Sequence, residues 1–150
     1  MGKYKIFFYG SKPTTDEGTS VADLANKKMG EKYEGFIAAG TSHGYVKPEG
    51  YAELIDKINS SGADILFVCL GVPMQEKWIY EHRSLLNPKV IVGLGGTLDT
   101  FAGTVKRAPK IFIKLNLEWL FRLLKEPRRI GRMMKLPKFI FGTVLSKKEK

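Results

Sequence analysis

Three polar side chains in a row, Gln75, Glu76 and Lys77, follow the turn Gly71-Val72-Pro73-Met74, directly after the most apolar run of the chain, residues 65–70. An amide both donates and accepts, so Gln75 suits a sugar hydroxyl or a phosphate oxygen. Glu76 is either a ligand contact or a helix-start carboxylate, and Lys77 either a ligand contact or a solvated charge. Asp99, behind Gly95-Gly96-Thr97-Leu98, can orient a ribose or sugar diol by accepting two hydrogen bonds, or act as a base; the competing role is to cap a helix beginning near Thr100. Arg107, in Val105-Lys106-Arg107-Ala108-Pro109, either approaches a diphosphate or is a surface charge beside a basic tail.

Glycines stand where strands are expected to end: Gly10, Gly40, Gly71 and the run Gly93-Leu94-Gly95-Gly96-Thr97. They either let a backbone approach a nucleotide closely or simply make tight turns, and neither a dinucleotide fingerprint nor a P-loop pattern follows any expected strand. His43, in the loop Thr41-Ser42-His43-Gly44-Tyr45, either lines the same pocket or packs the loop. No His-x-x-His, His-Glu-x-x-His, clustered cysteine or Asp-x-Asp pattern is present. Phosphate charge would then be met by backbone N–H groups and Arg or Lys, and no metal or other cofactor is expected.

The elements that must position these residues read as alternating strands and helices. Residues 4–9 form an aromatic and β-branched strand ending at Gly10, with helix caps available from Thr14 to Gly18. Val21, Leu24, Ala25 and Met29 share a helical face over residues 19–33, closed by Gly30 or Gly35 before a short strand at 36–39. Pro48-Glu49 opens a helix carrying Tyr51, Leu54, Ile55 and Ile58, which ends by Gly62. The run 65–70, apolar on both faces, predicts a central parallel strand, and Cys69 within it reads as a small buried side chain in a reducing compartment. A helix over 74–86 and a strand over 90–94 complete a doubly wound α/β body.

Charge divides the chain. Of 150 residues with a net charge of +10, residues 1–103 hold 11 Lys and Arg against 12 Asp and Glu, whereas residues 104–150 hold 14 against 3. In that tail, Ile111, Phe112, Leu115, Leu117, Trp119, Leu120, Leu123 and Leu124 beside Lys114, Glu118, Arg122 and Lys125 predict one amphipathic helix over 111–124. A second segment over 128–136 and a third over 138–150 follow. Nucleic acid would leave the apolar side chains unused, whereas an anionic membrane surface uses both; packing on the body or on an oligomer partner is the alternative. No apolar stretch approaches the roughly 18 residues needed to span a bilayer, and the first residues turn strand-like too soon for a secretory signal.

Three linked motifs carry a resemblance: Gly71-Val72-Pro73-Met74-Gln75-Glu76-Lys77-Trp78, then residues 92–103 with Lys106-Arg107-Ala108-Pro109, then Leu117-Glu118-Trp119-Leu120-Phe121-Arg122-Leu123 with Glu126-Pro127-Arg128-Arg129. Together with Gly10-Ser11-Lys12-Pro13 and His43-Gly44-Tyr45, they make the chain closely resemble the WecG/TagA/CpsF glycosyltransferases over essentially its whole length. The resemblance implies a Rossmann-like parallel sheet sandwiched by helices in a UDP-sugar-binding domain over 1–103, with a basic amphipathic appendage over 104–150. It implies inverting, metal-independent transfer of N-acetylmannosamine, or its uronic acid, from a UDP-sugar to undecaprenyl-diphosphate-linked N-acetylglucosamine, in teichoic acid or surface polysaccharide synthesis.

By the same analogy Asp99, with Gly40 nearby, holds UDP, and Gln75 contacts a sugar. Arg107 lies near the pocket and with Gln75 helps the leaving group, while Gly10, His43, Gly71, Gly95 and Gly96 line the substrate site. Arg122, Arg128, Arg129 and Arg132 engage lipid or diphosphate at the cytoplasmic face of the membrane, with a homo-oligomer as a further partner and no nucleic acid. Members of the family carry a segment ahead of the counterpart of strand 4–9, with a Thr and the Asp favoured as general base. Neither has a counterpart in these residues, so the alternative expectation is a non-catalytic UDP-sugar and lipid-diphosphate-binding remnant, or one half of a split enzyme.

Overall fold

In the computed structural model, which describes residues 4–13, 18–105, 108–115, 117, 120, 121 and 124, the apolar run expected at the centre is flanked on both sides. Strand β1 (Lys5–Gly10) pairs with β2 (Ile37–Ser42) and with β3 (Ile65–Cys69), and β3 pairs with β4 (Val90–Gly93). All pairs are parallel and the order is β2-β1-β3-β4. The chain divides into two compact units, 1–106 and 107–150, and the sheet belongs to the first.

Helix positions follow from the strand order. The step from β1 to β2 runs one way across the sheet, and the steps to β3 and β4 run the other way. Right-handed crossovers then put the first helix on one face and the next two on the opposite face. Accordingly α1 (Val21–Lys32) supplies Val21, Ala22 and Ala25 to a core with Phe8 and Cys69, joined there by Leu98 and Ala102. On the other face α2 (Tyr51–Ser60) and α3 (Met74–His82) place Leu54, Ile55, Ile58 and Trp78 against Phe7, Tyr9, Leu66 and Val68. The alternation of Phe7 and Tyr9 with Phe8 is the period of a pleated strand, and each such aromatic buried contributes about 1.5–3 kcal/mol.

Local signals explain the boundaries. The cap of α1 is Ser20, just past the residues expected to supply it: its hydroxyl accepts the Asp23 N–H at 3.1 Å and donates to the Asp23 carboxylate at 2.6 Å. Gly30 lies inside α1, and Gly35, at φ +81°, makes the turn after it. The strand expected over 36–39 extends to Ser42, because Thr41 and Ser42 continue the ladder opposite Phe8 and Tyr9. α3 stops at His82 and gives way to a 3-10 turn over Arg83–Leu85, since Pro88 lies ahead and Leu86 is already extended. At the start of the sheet, Asp64 accepts the Lys5 N–H at 3.0 Å and lies 3.6 Å from the Lys89 ammonium. The first of these contacts dominates in holding its carboxyl below the usual value.

In the second unit, the continuous amphipathic helix expected over 111–124 does not form. α5 covers Lys110–Lys114 only; the Leu115 N–H bonds back to the carbonyls of both Ile111 and Ile113, the tightening that ends a helix, and the Leu117 N–H reaches the Phe112 carbonyl at 2.8 Å. Phe112 and Phe121 pack with ring centroids 5.4 Å apart, while Ile111, Leu115 and Leu124 are exposed. The segments expected over 128–136 and 138–150 lie outside the described residues.

Cys69 is buried, as its apolar surroundings predict, and burial pushes its thiol from 9.0 up to about 12. The folded state therefore holds this proton more tightly than the unfolded chain, so the associated stability is complete below about pH 9 and is lost as pH rises towards 12. At pH 8 the thiol is expected to react with an aromatic disulfide reagent only as fast as the domain opens, and to become fully reactive through the urea transition. Rapid labelling of the native chain would show that the site is open.

Candidate functional site

The carboxyl ends of β1 and β3 meet at the switch point of the sheet, where connections leave for opposite faces. In open parallel sheets this is the ligand crevice. Gly10 adopts φ +142° there, and a Cβ at this position would overlap the Cys69 carbonyl, so the close approach of the two strand ends requires glycine. Ser11 follows at φ +62°, a left-handed conformation that costs a residue with a side chain about 1–2 kcal/mol. It is tied on three sides. Its N–H donates to the Cys69 carbonyl at 3.2 Å, its carbonyl accepts the Gly44 N–H at 2.8 Å, and its hydroxyl donates to Asp99 Oδ2 at 2.9 Å.

Those ties gather several expected site residues. The His43-Gly44-Tyr45 loop is drawn to Ser11 through Gly44, where a Cβ would lie 3.1 Å from the Gly10 Cα and the Ser11 nitrogen. Within the loop, His43 Nδ1 accepts the Tyr45 N–H at 3.2 Å, and Tyr45 is 67% exposed at the rim. Asp99 arrives from the far side of the sheet on α4 (Thr97–Phe101). It is the third residue of that helix and not its cap; the cap position is Gly96, which has no side chain to offer. The Asp99 backbone is held in turn, its carbonyl accepting the N–H groups of Thr104 at 3.0 Å and Val105 at 3.2 Å.

Gln75 is placed differently from a free ligand contact. It is 4% exposed, its Oε1 accepts the Gly95 N–H at 2.8 Å, and its Nε2 donates to Glu76 Oε1 at 2.9 Å. The amide thus braces the first turn of α3 against the β4–α4 turn, where Gly95 adopts φ +55°. Trp78, one helical turn further on, is wedged between Tyr9 and His82 with ring centroids 4.8 and 4.9 Å away, which anchors the helix that carries the brace. Gly93 matters for a reason the sequence does not display: a Cβ there would sit 2.6 Å from Gln75 Nε2. Glu76 and Lys77 are exposed.

Of the remaining expected residues, Gly71 makes the left-handed turn out of β3 at φ +80°, and its carbonyl accepts the Gln75 N–H at 3.0 Å. Gly40 lies within β2 and not at its end, opposite Phe7, whose ring would be 2.8 Å from a Cβ at that position. Arg107, Arg122, Arg128, Arg129 and Arg132 lie outside the described residues. Among the described residues no group of three His, Cys, Asp or Glu side chains is arranged to hold a metal ion. Ser11, quoted at the outset only within the motif Gly10-Ser11-Lys12-Pro13, is also brought to these strand ends. A residue with a side chain at a glycine-like position after a strand is the signal that marks it.

An all-parallel, doubly wound sheet with a carboxylate and glycine turns at its switch point defines a Rossmann-like α/β domain. More particularly, the chain belongs to the glycosyl transferase WecG/TagA/CpsF family, whose model matches residues 1–150. It is 42% identical over 138 residues to a protein of Bacillus spizizenii, covering 92% of this chain and 51% of that protein. It is 38% identical over 148 residues to one of Bacillus subtilis, covering 99% and 55%. A third, from Staphylococcus aureus, is 37% identical over 145 residues, covering 97% and 54%. All three bear the name N-acetylglucosaminyldiphosphoundecaprenol N-acetyl-beta-D-mannosaminyltransferase. The chain spans about half the length of the curated relatives it matches.

Replacing Gly93 by Ala is expected to push the Gln75 amide aside and release the Gly95 N–H, whose hydrogen exchange should speed up roughly tenfold or more for loss of one buried hydrogen bond. NMR exchange rates check this. Unchanged protection of Gly95 would mean that Gln75 is not its brace.

Proposed function

We propose that this chain binds a UDP-sugar in the crevice at the ends of β1 and β3 and serves the transfer of N-acetylmannosamine, or its uronic acid, to an undecaprenyl-diphosphate-linked N-acetylglucosamine. The observation that carries this reading is the match of nearly the whole chain to transferases whose name states that donor group and that lipid-linked acceptor. The crevice supports it. Asp99, partly exposed and held by Ser11, is suited to accept hydrogen bonds from a ribose diol, while the glycine turns at Gly10, Gly71, Gly95 and Gly96 let the donor approach the backbone.

In this reading the acceptor hydroxyl gives its proton to the carboxylate base that the family resemblance puts ahead of the counterpart of β1, its oxygen attacks the anomeric carbon from the face opposite UDP, the bond to the diphosphate oxygen breaks, and the configuration inverts. Charge that develops on the leaving diphosphate is met by backbone N–H groups and basic side chains, in place of a metal. Gln75 acts through the turn it braces, keeping the Gly95-Gly96 backbone where the donor lies. Asp99, whose carboxylate is engaged by Ser11, is assigned to holding the nucleotide and not to taking the proton of the acceptor hydroxyl. Asp99→Ala is expected to weaken UDP binding by tenfold or more, the loss of a charge-assisted contact. Addition of EDTA should change nothing. Calorimetry measures both, and UDP affinity unchanged in Asp99→Ala would remove the nucleotide-holding role. Turnover by the purified chain with a short-chain acceptor analogue separates transfer from binding alone.

Membrane contact is part of the same proposal. No helix among the described residues is long and apolar enough to cross a membrane, and residues 104–150 carry 14 Lys and Arg against 3 Asp and Glu. Peripheral attachment to an anionic cytoplasmic leaflet fits that charge, each basic residue near the surface contributing about 1 kcal/mol. Replacing Arg122, Arg128, Arg129 and Arg132 together by Gln should therefore lower the affinity for phosphatidylglycerol liposomes by at least a hundredfold at low salt. Equal sedimentation with liposomes would remove the membrane role of these residues.

A further inference from the structure

Ser11 carries an interaction that the proposed chemistry does not by itself explain. Its backbone sits at φ +62°, where glycine is the ordinary occupant, yet a side chain is retained and put to use. Both backbone polar groups are spoken for, the N–H by Cys69 on β3 and the carbonyl by Gly44 in the loop after β2. With the backbone held from two elements, the place of the hydroxyl is set by the sheet and not by a mobile loop. Its partner is equally constrained: Asp99 lies on α4, and its own carbonyl is bonded by Thr104 and Val105.

The single bond between them, Ser11 Oγ to Asp99 Oδ2 at 2.9 Å, joins the end of β1 to the helix after β4 and restricts rotation of the carboxylate. Oδ2 is thereby engaged, whereas Oδ1 receives no hydrogen bond from any described residue, and Asp99 is partly exposed. A carboxylate locked through one oxygen and open at the other is prearranged for a hydroxyl donor. Without Ser11 the same carboxylate would have to be ordered at the expense of binding.

We propose that Ser11 is the positioning residue of the nucleotide site: its hydroxyl holds Asp99 so that Oδ1 is ready to accept from the ribose 2′-hydroxyl, which makes the site selective for ribonucleotides. This rests on the reading of the crevice as a UDP-sugar site. Ser11 does not touch the reacting atoms; it acts through Asp99.

The test uses the full 150-residue chain as wild type, S11A, S11G, D99A and S11A/D99A, with UDP and 2′-deoxy-UDP as probes in calorimetry. S11A keeps the Cβ and removes only the hydroxyl, whereas S11G also relieves the left-handed backbone, so its urea midpoint should lie above that of S11A. Both variants are expected to bind UDP roughly five- to tenfold more weakly, the cost of ordering one side chain on binding, with little change for 2′-deoxy-UDP. In the D99A background S11A should have no further effect. Wild-type UDP affinity in S11A and S11G overturns the proposal. So does a parallel fall for both nucleotides, which is what a merely structural role would give. If the wild-type chain binds neither nucleotide, the UDP-sugar reading itself falls, an outcome distinct from equal binding by wild type and S11A.

Discussion

The central strand β1 must be dry on both faces. Phe7, Phe8 and Tyr9 have no exposed surface, and in a strand consecutive side chains point to opposite sides. One helical layer therefore cannot suffice. α1 and α4 cover Phe8, and α2 and α3 cover Phe7 and Tyr9. A parallel sheet enclosed in this way has only its strand ends left to present to a ligand.

At those ends the close approach of backbones decides which residues are acceptable. Gly10 leaves room for the Cys69 carbonyl, Gly44 for Gly10 and Ser11, and Gly93 for the amide of Gln75. What results is a site in which side chains mostly hold backbone. Gln75 supports the Gly95 N–H and Ser11 is bonded to two other strand connections, which leaves Asp99 as the described carboxylate with an open oxygen beside Ser11. The opposite end of the sheet is fastened by a similar device, Asp64 accepting the Lys5 N–H while its backbone N–H donates to the Lys5 carbonyl at 2.9 Å.

Much of this was legible in the residues. The apolar run 65–70 announced an interior strand, the alternation of strand and helix gave the class, and the glycines fell at or just past strand ends as expected, with Gly40 the exception. What was not legible depends on tertiary contact. Thr41 and Ser42 are poor markers of a strand, but β1 offers them a ladder. For Asp99 the residues left a ligand-holding carboxylate and a helix cap side by side, because the same side chain serves both, and only the start of α4 at Thr97, with Gly96 as its cap, removes the second. Gln75 looked like a free amide because nothing local reveals that Gly95, on another connection, supplies its partner. Ser11 was hidden among ordinary turn residues for the same reason: its significance lies in a bond to a residue 88 positions away.

The double cover of β1 also sets a timetable. β1 precedes both of its hydrogen-bonding partners in the chain, and the parallel pairs close only across intervening helices. Leu98 and Ala102, which complete the layer over Phe8, come near the end of the first unit. During synthesis the cover of Phe7, Phe8 and Tyr9 is therefore complete only when nearly the whole unit has left the ribosome. Native pairing of so many distant segments is slow to nucleate, and an aromatic strand left waiting is a natural substrate for holding chaperones. The arrangement that encloses β1 on both faces thus also separates its synthesis from its cover.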